Sequence, residues 1–266
     1  MSLPNRVDPF GNLFADASRG LLFGNRGGRF HRHDRTLGAR RWVSRRWICC
    51  RLDFKGRHRN VWGSGYTELF FLDEPTALAA GHRPCFECRR ADAQAFAAAF
   101  ARDHFGRADE IDRVLHAERL DGRGKRRHRC AIDGLPDGSM ITLPEEPGRA
   151  FAVRGPALLR WASTGYIGAR PRPRHLIVDV LTPPGTLAAL SAALAPERRR
   201  AIALTNKKPY RVECPRKLPS ALHQPATLFA QRRAGSGTCP SKQQTRSADR
   251  ERIDSTQLWT LSRAAP

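Results

Sequence analysis

TELFFLDEPTALAAGHRPCFECRR, residues 67–90, joins a strand, a helix and a metal-ligand spacing without an intervening linker. The aromatic and apolar residues of YTELFFLDE (66–74) predict a strand. Pro75 opens a short helix, PTALAAG, with proline in its first turn and Gly81 at its end, as helix chemistry prefers. Pro84 then leads into Cys85-Phe86-Glu87-Cys88 at the start of a further helix. Two thiolates at this spacing can grip one metal ion, because the turn into a helix brings both sulfurs to one side. Arg83, Arg89 and Arg90, together with the helix N-terminus, favour the thiolate form. A structural zinc takes four ligands, so this pair is half a site.

The other half is expected upstream, in RWVSRRWICCRLDF (41–54). Basic residues alternate there with aromatic and apolar ones, which predicts a strand that turns at GRHRN (56–60) and pairs with 66–74 as a hairpin. Neighbouring strand residues face opposite ways, so only one of Cys49 and Cys50 should reach the metal. Cys50 is preferred and Cys49 stands second; the fourth ligand is open among Cys49, His58, His82 and Cys130. A redox Cys-x-x-Cys would follow a strand in a βαβ unit, whereas a helix and turn precede this one. Two unbonded buried thiols are the remaining reading, and free thiols are expected at Cys214 and Cys239.

Residues 67–90 also resemble the N-terminal zinc-binding, methylphosphotriester-recognising domain of the Ada DNA-repair family. The matching residues are Phe70, Phe71, Asp73, the Ala80-Gly81 pair, Arg83, Pro84, Cys85 and Cys88. The resemblance implies zinc held by Cys85 and Cys88 with two upstream cysteines, and DNA as the partner. The family's upstream Cys-x-x-x-Cys is replaced here by Ile48-Cys49-Cys50-Arg51, farther from Cys85. A zinc-stapled β-ribbon is therefore the implication, and methyl transfer is not. The rest of the chain resembles only uncharacterised bacterial proteins.

Outward from this element the pattern is mixed. RADAQAFAAAFARDHF (90–105) predicts a helix with Phe96 and Phe100 on one side, and ADEIDRVLHAERL (108–120) another, with Ile111, Val114, Leu115 and Leu120 on its apolar side. SMITL and AFAVR, separated by PEEPGR, predict a hairpin, and HLIVDVLTP (175–183) a last strand. The expected class is α+β, with residues 1–185 as one compact domain that carries the Ada-like element at about 41–105. Composition shifts after 185 toward Gln, Ser, Thr and Lys, so 186–266 is expected to be a basic, low-order tail with one helix near TLAALSAALAPERRRAIAL.

The 266 residues carry 47 Lys+Arg against 25 Asp+Glu, and 40% are hydrophobic, enough for a core. No apolar run is long enough for a membrane span, and the N-terminus lacks the h-region of a signal peptide. With seven cysteines, an odd number, the expected setting is the reducing cytoplasm. The charge surplus favours a polyanion, nucleic acid first and DNA before RNA; genome composition explains it as well, since 41 of the cations are arginine. Arg40, Arg41, Arg45 and Arg46, interleaved with Trp42 and Trp47, suit phosphate forks and base stacking. Lys125, Arg126 and Arg127 lie in a second basic loop. Trp47 is expected to face the core. Gly24-Asn25-Arg26-Gly27-Gly28 reads as a tight turn or a weak phosphate cradle.

An enzyme is the alternative. His116-Ala117-Glu118 with Pro84-Cys85-x-x-Cys88 spells the two zinc-deaminase motifs, although in reversed order, and His128 could join them. No Gly-x-Ser-x-Gly elbow or His-Glu-x-x-His is present. A plain interaction domain is the third reading.

Overall fold

A computed structural model describes residues 2–58, 60–100 and 107–193. Within them the chain forms two six-stranded sheets, a two-stranded ribbon and four α-helices, so the class is α+β as the sequence indicates. In the first sheet β1 (Arg6–Val7), β2 (Leu13–Phe14), β3 (Leu22–Arg26), β4 (Trp47–Arg51), β5 (Leu69–Phe71) and β6 (Arg83–Pro84) lie in the order β2-β1-β5-β3-β4-β6. Helix α1 (Glu74–Ala79) bridges β5 and β6; α2 (Arg90–Phe100), α3 (Ala108–Arg119) and the ribbon β7 (Leu120–Asp121) and β8 (Gly124–Lys125) follow. The second sheet is an antiparallel array of β9 (His128–Ala131), β10 (Met140–Leu143), β11 (Glu146–Arg154), β12 (Ala157–Ala162), β13 (Gly165–Pro171) and β14 (Ile177–Val180), and α4 (Pro184–Ala193) ends the described chain.

The expected hairpin between 41–54 and 66–74 does not form. β3 inserts between β4 and β5 and pairs antiparallel with both. The segment read as a turn at 24–28 thus belongs mostly to a central strand, and only Gly27 takes a left-handed φ, of 81°. Gly24 lets the neighbours close over β3: a Cβ there would lie 2.1 Å from the Ile48 carbonyl oxygen and 2.9 Å from the Phe71 ring. The 41–54 strand shrinks to five residues because the amides of Val43 and Ser44 both turn to the Arg26 carbonyl (2.9 and 3.3 Å), which takes 41–46 off the ladder.

Helix α1 holds the two sheets together. Asp73 caps it, accepting from the Thr76 amide at 3.0 Å and hydroxyl at 2.6 Å, and accepts the Tyr166 hydroxyl of β13 at 2.7 Å. Trp161 Nε1 of β12 donates to Thr76 Oγ1 at 3.0 Å. Leu72 and Ala79 pack there against Met140, Ala152, Leu159 and Tyr166 of the second sheet. The helix closes in a Schellman motif: the Gly81 amide reaches the Leu78 carbonyl and the His82 amide the Ala77 carbonyl, with Gly81 at φ 89°.

The remaining helices form a layer of their own, where Phe96, Ala97 and Phe100 of α2, Ile111 and Leu115 of α3 and Ala189 of α4 bury together with Leu78. Phe96 and Phe100 stack at 5.8 Å, as their i,i+4 spacing predicts. The predicted pair SMITL/AFAVR is the β10–β11 hairpin, with Ile141 opposite Phe151, and 175–183 supplies β14. Strands β12 and β13 escape sequence reading because glycine, arginine and proline break their alternation. Packing continues past 185 through α4; the expected tail from 194 onward, with Cys214 and Cys239, lies outside the described residues.

Replacing Gly24 by alanine forces a methyl into the Ile48 carbonyl and should cost about 1–3 kcal/mol. At roughly 2–4 °C per kcal/mol for a fold of this size, thermal unfolding should drop by several degrees. Gly148→Ala, with nothing within 4 Å of its Cβ, should leave the midpoint within a degree or so.

Candidate metal centre and basic face

The parallel pairing of β4 with β6 sets the geometry of the centre. Ile48 lies opposite Arg83 and Cys49 opposite Pro84, and the Cys85 amide continues the ladder to the Cys49 carbonyl at 3.0 Å. Strand alternation then separates the adjacent cysteines. Trp47 and Cys49 face one side, where Cys49 packs with Leu69, Phe71, Ala77 and Ala80. Cys50 faces the other, in a cluster with Phe23, Cys85 and Cys88. The sulfurs of Cys50, Cys85 and Cys88 all lie within 4.8 Å of one another and could hold a metal ion. Thiolates about 2.3 Å from a tetrahedral metal would sit about 3.8 Å apart, so these three can close on one ion with a small adjustment.

Hydrogen bonding prepares the sulfurs unequally. The Cys85 thiol is pulled down to about 5 by hydrogen bonding from Cys50 and from the amides of Cys88 and Glu87. The Glu87 amide donates to Cys85 Sγ at 3.4 Å. Cys50 is held well above an ordinary thiol by its bond to Cys85 and by burial, and burial also raises Cys88. Phe54 closes the apolar wall, and an ion pair between Arg57 and Glu87 at 2.7 Å ties the 52–58 loop to the cysteine turn.

Of the four residues open as a further ligand, none joins this cluster. Cys49, placed second among the upstream ligands, points away: Arg89 Nη1 donates to its sulfur at 3.2 Å, and burial pushes its thiol up to about 12. His82 is fully buried beside Trp47 and Phe71. His58 is exposed, and Cys130 sits in β9 of the second sheet. The deaminase-like set does not assemble either. His116 Nδ1 bonds Arg119 and its ring meets Trp42 edge-on, Glu118 accepts the Gly185 amide at 2.9 Å, and His128 Nε2 lies 2.8 Å from the Glu118 carbonyl.

The basic segments, far apart in sequence, meet. Arg123 Nη2 reaches the Ala39 carbonyl at 3.4 Å, across 84 residues, and Arg119 Nη2 reaches the Arg45 carbonyl at 2.8 Å. Arg40, Arg41, Arg45 and Arg46 of the first segment and Arg126 and Arg127 of the second are exposed, and half-buried Trp42 lies edge-on to His116. Arg46 pairs with exposed Asp109 at 3.1 Å, and Arg127 with Asp179 at 3.6 Å. Lys125 differs from the expectation of an exposed contact. It is half-buried, and its ammonium donates to the Ala79 carbonyl at the end of α1. Trp47 is buried in the core, as its alternation predicts.

The two cysteines of the pair should respond differently to substitution. If ~10–16 kcal/mol of metal binding is shared among the ligands, losing one thiolate costs about 3 kcal/mol, roughly a hundredfold in affinity. Metal titration should therefore find Cys50→Ser weakened by about that factor and Cys49→Ser close to wild type. Equal losses from both would contradict the geometry. No protein-family model matches the chain, and no curated protein or solved structure matches it; its chemistry stands on these side chains.

Proposed function

We propose that the chain binds zinc structurally through Cys50, Cys85 and Cys88 and engages nucleic acid, DNA ahead of RNA, through the face built by residues 38–46 and 119–127. The observation that carries the reading is the convergence of the two basic segments, fastened by Arg123 to Ala39 and Arg119 to Arg45. Exposed arginine forks in both segments match phosphate oxygens, and half-buried Trp42 offers a ring for a base. The metal supports this face at a distance. It clamps β4 to the turn after β6, and β4 carries Trp47, about three residues or ~10 Å away, under the basic loops. Three thiolates favour a thiophilic ion, and zinc is the usual occupant of closed thiolate sites. The resemblance to the Ada domain supports zinc and DNA independently of the charge.

Counterion release supplies the test. On the full chain, the log of DNA affinity should fall linearly with log salt, and Arg45→Ala should flatten the slope by about 0.7–0.9. Arg46→Ala should flatten it less, because Asp109 already neutralises that guanidinium. Arg174→Ala, an exposed arginine between β13 and β14, is the control for general charge. A slope equally insensitive to all three changes would show that other charges bind the polyanion and would overturn the reading.

A further inference from the structure

Beneath that face lies a cluster of buried cations without a carboxylate partner. The guanidinium carbons of Arg26 and Arg119 sit 4.0 and 3.9 Å from the Trp47 ring centre, and both residues are almost fully buried. Arg26 Nε donates to His82 Nε2 at 3.4 Å, and His82 packs 5.1 Å from Trp47. Lys125 approaches from β8 with its ammonium on the Ala79 carbonyl. The hydrogen bonds these cations make go to backbone carbonyls (Gly11, Arg41, Arg45, Ala79, Gly81) or to histidine nitrogens.

The same fold treats its other buried arginines differently. Arg83 grips Asp112 through two bonds of 2.8 Å, and Arg89 pairs with Glu74 and Asp92. Two acids face the cation cluster: Asp8, whose carboxylate is engaged by the Asn12 amide at 2.8 Å and side chain at 2.9 Å, and Asp112, which Arg83 already holds. Burial, with repulsion from Arg119 and Arg26, pushes Lys125 down to about 7, and burial, with repulsion from Arg41, pushes Arg26 down to about 9. Within this cluster two donors are also left over among the described residues. With Nε2 accepting from Arg26, His82 carries its proton on Nδ1, which the neighbouring Ala77 carbonyl does not meet in hydrogen-bond geometry, and Arg119 Nε has no acceptor. Lys125 has further N–H groups beyond the one on Ala79. Buried charge and buried donors both demand an acceptor, and a tetrahedral dianion answers several at once.

We propose that Arg26, Arg119 and Lys125, with the Nδ1–H of His82, form a binding site for a single phosphate group. Half-buried Lys125 is the most exposed residue of the set, and the phosphate is either free or the terminal phosphate of a nucleotide or strand. Carbonyls at the end of α1 hold Lys125 and Arg119 in place, those of Gly11 and Arg41 hold Arg26, and the phosphate supplies the charge those carbonyls lack. The site does not depend on the nucleic-acid reading, since inorganic phosphate alone should fill it.

The test uses the full chain in phosphate and in chloride at equal ionic strength. At a hundredfold excess over its dissociation constant, phosphate should raise the unfolding midpoint by about 5–10 °C. Lys125→Met should remove most of that shift while melting no lower in chloride, because it deletes an uncompensated charge; Arg174→Ala should keep the full shift. Phosphorus-31 line broadening on the wild type gives a readout that survives should Lys125→Met fail to fold. A 5′-phosphorylated oligonucleotide binding at least tenfold tighter than its 5′-hydroxyl counterpart, only with Lys125 present, assigns the group to a strand end. Equal binding of the two with a phosphate shift intact assigns it to a small phosphate. No shift and no broadening in the wild type, with Lys125→Met simply melting earlier, would make the ammonium a helix cap and overturn the site, even if oligonucleotides bind the outer face.

Discussion

The parallel contact between β4 and β6 organises both halves of the candidate site. It is short, two residue pairs and one further amide, yet it joins the strand that carries Trp47 and Cys50 to the segment that carries His82 and Cys85. At one end of the contact Trp47 meets His82, and at the other Cys50 meets Cys85 and Cys88. So brief a ladder has little stability of its own. Its surroundings hold it: Arg89 spans Cys49, Glu74 and Asp92 on one face, and the cysteine cluster closes the other. A metal on the sulfurs would lock the register of both strands together.

Helix α1 carries the consequence to the rest of the molecule. Its N-terminus is buried against the second sheet through Asp73, Tyr166 and Trp161, and its C-terminus offers carbonyls to Lys125 and, two residues on, to Arg119. Burial pushes the Asp73 carboxyl above the usual carboxylate range even though three donors surround it. One short helix thus couples a satisfied buried acid at one end to an unsatisfied group of buried cations at the other. Gly81 makes the second end possible, because a Cβ there would lie 2.5 Å from the Arg119 side chain.

The contrast among buried arginines is the clearest electrostatic feature of the fold. Arg83 and Arg89 are neutralised by acids on neighbouring helices, which is how buried guanidinium groups are ordinarily stabilised. Arg26 and Arg119 both stack on the Trp47 ring and donate to backbone carbonyls, neither of which cancels a full charge. Charge of this kind accumulates where a protein meets an anion, and the exposed arginines of 38–46 and 119–127 lie over it.

By itself the sequence determined the local chemistry. The proline and glycine that bound α1, the Phe96–Phe100 stack, the β10–β11 hairpin and the opposite facing of Cys49 and Cys50 are all consequences of backbone period and side-chain type, which act over a few residues. Cys85 and Cys88 were legible for the same reason, and Cys50 followed from strand alternation once a second element was sought upstream. Only the tertiary structure decided what meets what. No local rule could insert β3 between β4 and β5, because strand order is settled by which faces bury most apolar surface. Nor could it reveal that Arg26, His82 and Arg119 share one tryptophan with Lys125 close by, since each of them alone reads as an ordinary polar residue. Their shared burial turns ordinary charge into a demand for an anion, and burial is a property of the fold.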